Sequence, residues 1–173
     1  MESITPLSFR FSQDGEGQWK IPLRSKTDTE RLGRAIGRVL RCGEVIALTG
    51  ELGAGKTCMV RGIAQGVGLS SEEVSSPTFT IIQEYASHPS IVHVDLYRLN
   101  DPSEIEDIGL SSYFDTKHVV IIEWADRAKT TQLPNDRLIL ELSHSGRYSR
   151  WMRLRAFGAK SQALLETLFY QES

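Results

Sequence analysis

The sequence predicts an α/β fold with a central sheet, and three observations support this prediction. Two short apolar runs, Val45 to Leu48 and Val119 to Ile122, are typical of buried parallel strands. The first run is followed by a glycine-rich turn and then by a helical pattern. Two pairs of strand patterns separated by short turns favour antiparallel hairpins in the same sheet.

Length and composition suit a globular protein with its own core. The chain has 173 residues, of which 40% are hydrophobic, and 20 Lys and Arg against 22 Asp and Glu. This balance does not indicate a net basic nucleic-acid-binding protein. No apolar run approaches the ~20 residues of a membrane helix, and no secretory signal pattern opens the chain. The two cysteines, Cys42 and Cys58, are expected to be buried thiols in a reducing compartment. Together these features predict a cytoplasmic protein that does not contact a membrane.

The chain is expected to divide into an N-terminal arm and one domain. Residues 1–18 are predicted to be an irregular arm or a short edge hairpin, because turn-forming residues occupy 14–17. Residues 19–173 contain no repeat, low-complexity segment or break in composition, which favours a single domain. A strand is predicted from Trp19 to Leu23.

The first predicted helix runs from about Asp28 to Arg41, with Thr27 or Asp28 at its N-cap and Gly43 at its end. Its apolar residues recur at spacings of three and four, which indicates one buried face. In chain order, the other predicted elements are a strand at 44–49, a helix ending near 65, strands at 79–86 and 91–98, a short helix opened by 101–104, a strand at 118–124, strands at 138–142 and 151–156, and a helix at 161–169.

The residues after the first buried strand match the pattern G-x-x-x-x-G-K-[ST] in full. Glycines let the backbone N–H groups of such a loop point inward, where they and the helix N-terminus bind a phosphate. Lys56 is expected to reach the β- and γ-phosphates, and the Thr57 hydroxyl is expected to be a Mg²⁺ ligand. The candidate nucleotide-binding residues in this segment are Gly50, Glu51, Leu52, Gly53, Ala54, Gly55, Lys56, Thr57 and Cys58.

Two acidic residues near predicted strand ends are candidates for the catalytic chemistry. Glu123 follows four apolar residues, and it could hold Mg²⁺ directly or through water, or orient the attacking water. Asp95 shares a predicted strand face with His93 and Tyr97. Asp95 could orient water or reach the magnesium shell. Alternatively, His93 and Asp95 form a buried hydrogen-bonded pair.

The sequence allows several interpretations of the nucleotide site. No Asn-Lys-x-Asp guanine-binding motif follows the loop, so ATP is favoured over GTP. A small kinase would need an arginine-rich lid, whereas the arginines cluster in the predicted hairpin at 147–155. The chain could also bind nucleotide without turnover. The segment Ser76-Pro77-Thr78-Phe79 could sense a γ-phosphate, as a switch does, or form a simple turn.

Four motifs in this order make the chain resemble the TsaE (YjeE) family of bacterial ATPases. They are G-E-L-G-A-G-K-T, S-P-T-F, H-V-D-L-Y-R and I-I-E-W-A-D-R, and the resemblance spans about Ile21 to Arg155. The resemblance implies a P-loop NTPase-like three-layer α/β/α sandwich with a mixed central sheet and antiparallel hairpins. It also implies an accessory ATPase that helps form N6-threonylcarbamoyladenosine next to the tRNA anticodon.

The resemblance also implies that the ATPase binds the TsaB and TsaD proteins and resets their complex by ATP hydrolysis. TsaD would be the transferase, and the tRNA would be met only through the complex. The implied cofactors are ATP or ADP and Mg²⁺. The implied roles are Asp95, Lys56 and Glu123 in catalysis, Thr57 and Glu123 as metal ligands, Ser76 and Thr78 in a switch-like segment, and Thr29 near the adenine.

The last predicted hairpin carries a cluster of basic residues. Strand alternation places Arg147, Trp151, Arg153 and Arg155 on one face, opposite Met152 and its apolar neighbours. This face is either a solvated surface or a surface for an acidic partner or the tRNA backbone.

Overall fold

The computed structural model of the chain describes residues 9–15, 17–70 and 72–170. Its strands are β1 (Ser12–Gln13), β2 (Trp19–Leu23), β3 (Val45–Gly50), β4 (Ile82–Tyr85), β5 (Ser90–Asp95), β6 (His118–Glu123), β7 (Arg137–His144) and β8 (Arg150–Phe157). Its helices are α1 (Lys26–Val39), α2 (Lys56–Val67), α3 (Pro102–Asp107) and α4 (Ala159–Tyr170). Within the described residues, no helix is both long and apolar enough to cross a bilayer.

All eight strands form one sheet in the order β1-β2-β8-β7-β3-β6-β5-β4. The central strands β7, β3, β6 and β5 are parallel, and the remaining pairs are antiparallel. Because the carboxyl ends of parallel strands lie at one edge, the segments that follow β3, β5 and β6 meet there. The predicted mixed sheet with antiparallel hairpins is therefore confirmed.

Helices cover both faces of the sheet, which confirms the three-layer arrangement. Ile46 and Leu48 of β3 belong to the core shared with α1, α2 and α4. Val45 and Ala47 of the same strand belong to the second core, which includes Ile105 of α3. This alternation is the period of two that a strand buried on both faces must show.

Helix α1 begins and ends two residues earlier than predicted. Ser25 is its N-cap, and the Ser25 Oγ accepts a hydrogen bond from the Asp28 N–H at 3.1 Å. Asp28 lies inside the first turn, where its Oδ2 accepts from the Arg24 N–H at 2.9 Å. The predicted caps were therefore wrong, because Ser25, Thr27 and Asp28 are all residue types that can cap and only Ser25 does. Gly43, with φ of +86°, lies in the turn before β3 and does not end the helix.

Strands β4 and β5 are shorter than predicted. Residues 79–81 precede β4, and Ile81 adopts a left-handed backbone with φ of +67°. Strand β5 ends at Asp95, so Tyr97 lies beyond the strand and the prediction that it shares the strand face was wrong. The cysteine prediction was also wrong, since Cys42 is exposed and Cys58 is only half-buried.

The N-terminal segment adds the outermost strand pair. Strand β1 pairs with β2 as an edge hairpin. Residues 1–8 lie outside the described residues, so the prediction of an N-terminal arm stays a prediction there. Strand β2 pairs along its length with β8, so that Leu23 lies opposite Arg150. The Trp19 ring stacks on Phe169 of α4 with ring centroids 4.1 Å apart. This contact joins the first and last parts of the described chain.

Helices α1 and α2 cross closely because glycines face each other at the crossing. A Cβ on Gly33 would lie 2.7 Å from the Met59 carbonyl oxygen, and one on Gly62 would lie 2.6 Å from the Glu30 carbonyl oxygen. A Cβ on Gly37 would overlap the Ile63 carbonyl oxygen. These distances are shorter than carbon–oxygen contacts allow, so at these positions the helix crossing has room for glycine and for no larger residue.

Glu44 is a buried carboxylate at the start of β3, and it gives the fold a testable pH dependence. Its side chain accepts a hydrogen bond from the Arg41 N–H at 2.6 Å. Burial raises the pKa of Glu44 from about 4.5 to about 6, and the Arg41 contact only partly opposes this rise. The folded state therefore favours the protonated carboxyl. That contribution to stability is present below the unfolded pKa and is lost as the pH rises through about 6.

We expect Glu44→Gln to stabilise the fold at about pH 8 by up to about 2 kcal/mol, because the ionised carboxylate is no longer buried. At about pH 4 the two chains should differ little, since Glu44 is then protonated in both states. Denaturant unfolding at both pH values measures the difference. The exposed Glu166→Gln serves as a control. A gain from Glu44→Gln that was equal at both pH values would contradict the expectation.

Candidate functional site

The glycine-rich loop joins β3 to α2 at the edge where the parallel strands end. Gly53 and Gly55 have φ of +75° and +109°, values that side chains with a Cβ rarely adopt. Gly55 is the N-cap of α2, and Lys56 is the first helical residue. The conformation turns the helix N-terminus and the following side chains toward one cleft.

Lys56 is buried at the base of this loop, with 5% of its surface exposed. Its Nζ donates to the carbonyl oxygens of Gly50 at 2.6 Å and Glu51 at 2.9 Å. The same ammonium lies 3.6 Å from the ring centroid of Trp124, a cation–π contact. Burial lowers the pKa of Lys56, and nearby carboxylates, Glu123 foremost, oppose the shift.

Thr57 and Glu123 meet across the cleft. The Thr57 hydroxyl donates to Glu123 Oε2 at 3.0 Å. The other carboxylate oxygen, Oε1, contacts Nε2 of the fully buried His93 at 2.9 Å. If Nε2 carries the hydrogen, it donates to Oε1, and Nδ1, which has no hydrogen-bond partner among the described residues, is left as an acceptor. His93 thus pairs with Glu123 rather than with Asp95, so the alternative hypothesis of a buried His93–Asp95 pair was wrong.

Asp95 lies beside Glu123, because parallel pairing of β5 and β6 sets the two residues side by side. Its side chain is buried, and Oδ2 accepts hydrogen bonds from the hydroxyls of Ser76 at 2.7 Å and Thr78 at 2.8 Å. Its Oδ1 accepts from the Tyr97 N–H at 2.9 Å. The segment that carries Ser76 and Thr78 is therefore held directly on the Asp95 carboxylate.

These groups line one cleft of about 330 Å³. The candidate residues in its lining are Leu52, Gly53, Gly55, Lys56, Thr57, Cys58, Ser76, Thr78, Asp95 and Glu123. Gly50, Glu51 and Ala54 belong to the loop but not to the lining.

Thr29 is buried on α1, where its hydroxyl contacts the Ser25 carbonyl oxygen at 3.4 Å, and it does not line the cleft. Burial raises the pKa of the Cys58 thiol to about 11, so this sulfur stays protonated at neutral pH.

Two aromatic residues also line the cleft, although the sequence did not mark them as binding residues. Tyr97 and Trp124 contact each other with ring centroids 5.0 Å apart. Each follows one of the acidic residues at a strand end, and that position is the signal that could have identified them. Trp124 has a left-handed backbone with φ of +59°, and its ring lies against the Lys56 ammonium.

The oxygen atoms of Thr57 and Glu123 fit a Mg²⁺ ion. Magnesium prefers hard oxygen ligands and usually takes one or two carboxylates together with phosphate oxygens and water. Across the described ranges, 9–15, 17–70 and 72–170, no three His, Cys, Asp or Glu side chains form a metal-binding group. The Thr57 hydroxyl and the Glu123 carboxylate thus offer the type of oxygen donor that Mg²⁺ takes, 3.0 Å from each other.

The sheet order, the loop between β3 and α2, and the acidic residues that end two neighbouring parallel strands define an α/β protein of the P-loop class. The family model described as threonylcarbamoyl adenosine biosynthesis protein TsaE matches residues 23–152. This match covers most of the chain, and the chain belongs to the TsaE family.

Similar proteins agree with this assignment. The chain is 40% identical over 119 residues to a tRNA threonylcarbamoyladenosine biosynthesis protein TsaE of Treponema pallidum, covering 69% of this chain and 87% of that protein. It is 37% identical over 142 residues to the protein of that description from Bacillus subtilis, covering 82% and 87%. The crystal structure of Bacillus subtilis YdiB superposes with a TM-score of 0.76 at 29% identity, covering 96% of this chain and all of that one.

Proposed function

We propose that this chain is a Mg²⁺-dependent ATPase that acts as an accessory subunit in the formation of tRNA N6-threonylcarbamoyladenosine. The observation that supports the proposal most directly is the meeting of Lys56, Thr57, Asp95 and Glu123 in one cleft beside the glycine-rich loop. Its relatives are described as biosynthesis proteins for this nucleoside. Because the chain belongs to the TsaE family, we assign the proposed hydrolysis to the biosynthesis of this nucleoside.

Each group has a defined part in the proposed hydrolysis. Lys56 and the loop N–H groups bind the nucleotide phosphates, which carry the charge that develops on cleavage. Asp95 is a buried carboxylate that can orient the attacking water and accept its proton. Thr57 and Glu123 would hold Mg²⁺, which would neutralise charge on the phosphate oxygens. His93 fixes the Glu123 carboxylate through its 2.9 Å contact.

The contacts of Asp95 suggest why partners would be needed for fast turnover. Its Oδ2 already accepts two hydroxyl hydrogen bonds, from Ser76 and Thr78. A water molecule that is to be activated by this oxygen competes with those hydroxyls. Displacement of the 76–78 segment would free the carboxylate, so we expect weak hydrolysis by the chain alone.

The proposed partners are the TsaB and TsaD proteins. In this proposal ATP binding and hydrolysis reset the TsaB–TsaD complex between rounds of threonylcarbamoyl transfer, and TsaD performs the transfer. The chain would meet the tRNA through the complex. This part of the proposal rests on membership of the TsaE family.

ATP hydrolysis by the purified chain, measured alone and with TsaB and TsaD from the same source, tests the proposal. We expect clear stimulation by the pair and sustained nucleoside formation only when ATP can be hydrolysed. Lys56→Ala serves as the inactive control because it removes the phosphate-binding ammonium. Equal hydrolysis with and without the pair would contradict the accessory role, and phosphoryl transfer to small acceptors would then distinguish a kinase from a binding module.

A further inference from the structure

Arg150, the first residue of β8, contacts the glycine-rich loop and does not belong to the lining of the cleft. Its Nε donates to the Ala54 carbonyl oxygen at 3.0 Å, and a terminal nitrogen donates to the Gly53 carbonyl oxygen at 3.3 Å. The other terminal nitrogen donates to the Ser149 carbonyl oxygen at 2.9 Å. One guanidinium therefore joins the loop to the hairpin formed by β7 and β8.

These contacts fix the direction of a backbone donor in the loop. In a trans peptide the C=O of one residue and the N–H of the next point in opposite directions. With the Ala54 carbonyl held by Arg150, the Gly55 N–H is directed away from Arg150, and Gly55 lines the cleft. Inward N–H groups of this kind are the donors that bind phosphate oxygens.

The same hairpin supports the start of the loop. Gly50 pairs with Leu142 of β7, and a Cβ on Gly50 would overlap the Leu142 carbonyl oxygen. The hairpin thus contacts the loop where it leaves β3 and again at Gly53 and Ala54. Neighbouring Arg153 faces solvent instead and pairs with Glu141 at 3.2 Å.

We infer that Arg150 is a positioning residue for nucleotide binding, which rests on the proposed function of the cleft. By holding the outer carbonyls, its guanidinium preorganises the loop N–H groups that bind the phosphates. The planar fork matters here as well as the charge, because it contacts two successive carbonyl oxygens while it is also tied to Ser149.

The test compares ADP affinity by calorimetry in Arg150→Met, Arg150→Lys and the matched control Arg153→Met. Met keeps the aliphatic length without donors, and Lys keeps the charge without the planar fork. We expect Arg150→Met to bind ADP about tenfold more weakly, a difference of about 1.4 kcal/mol, and Arg150→Lys to be severalfold weaker. Arg153→Met should bind as the parent does. The melting temperature without nucleotide shows that each variant is folded.

Each outcome separates this inference from the proposed function. Failure of the parent chain to bind ADP would overturn the nucleotide site itself. Parental affinity in Arg150→Met would overturn only the role of Arg150. Parental affinity in Arg150→Lys, or an equal loss in Arg153→Met, would show that charge and not the contact with the carbonyls sets affinity. If Arg150→Met does not fold, Arg150→Lys alone decides between these results.

Discussion

Replacing Asp95 with asparagine should lower ATP hydrolysis by about 100-fold or more, the range expected for loss of a general base, and leave ADP affinity within about threefold. Asparagine has the shape of aspartate, and its amide oxygen can still accept from the Tyr97 N–H. Its NH₂ group can donate to the hydroxyls of Ser76 and Thr78, so the local network survives. The change removes mainly the ability to take a proton from water.

The measurement is hydrolysis in the presence of TsaB and TsaD, with ADP affinity determined on the same protein. Lys56→Ala is the contrasting variant, because it should lose nucleotide affinity as well as turnover. Together the two variants separate binding from chemistry. Parental turnover in Asp95→Asn would remove Asp95 from the catalytic step and leave Glu123 as the remaining carboxylate in the cleft lining.

Replacing Gly37 with alanine should lower the free energy of unfolding by about 2–3 kcal/mol, the upper range for overpacking a core. The new methyl group would overlap the Ile63 carbonyl oxygen on α2, and a backbone atom cannot move aside as a flexible side chain can. Alanine is the better helix former by up to about 1 kcal/mol, and the overlap outweighs that gain. Helices α1 and α2 must therefore move apart.

Chemical denaturation of both chains measures the loss. For a chain of this size it corresponds to a fall in melting temperature of very roughly 4–12 °C. Gly15→Ala is the control, because no atom of the described part of the chain, apart from the adjacent residues, lies within 4 Å of a Cβ at Gly15. A Gly37→Ala chain as stable as the parent would show that the crossing tolerates a wider separation than its packing indicates.

The loop could be predicted from the sequence because its motif is local. Eight successive residues carry it, and the strand before and the helix after can be recognised by their own patterns. The role of Arg150 could not be predicted in this way. Four arginines occur between 147 and 155, and only the register of β8 against its neighbours shows which of them turns toward the loop.

Other features depended on contacts between distant segments. The pairing of His93 with Glu123 requires β5 and β6 to be neighbours, whereas the sequence places His93 nearest to Asp95. The helix crossing did leave a signal, since glycines recur at a spacing of four in both α1 and α2. This signal becomes meaningful only when the two helices are known to touch.

The pairing of β2 with β8 has a consequence for how the protein is made. Strand β2 precedes β3 to β7 along the chain, but β8, the strand that covers its inner edge, follows all of them. Until β8 is made, the backbone N–H and C=O groups along that edge of β2 have no strand partner. The Trp19 ring likewise lacks Phe169, on which it stacks in the folded protein. Nascent chains should thus expose this edge, and be prone to association through it, until β8 has been synthesised.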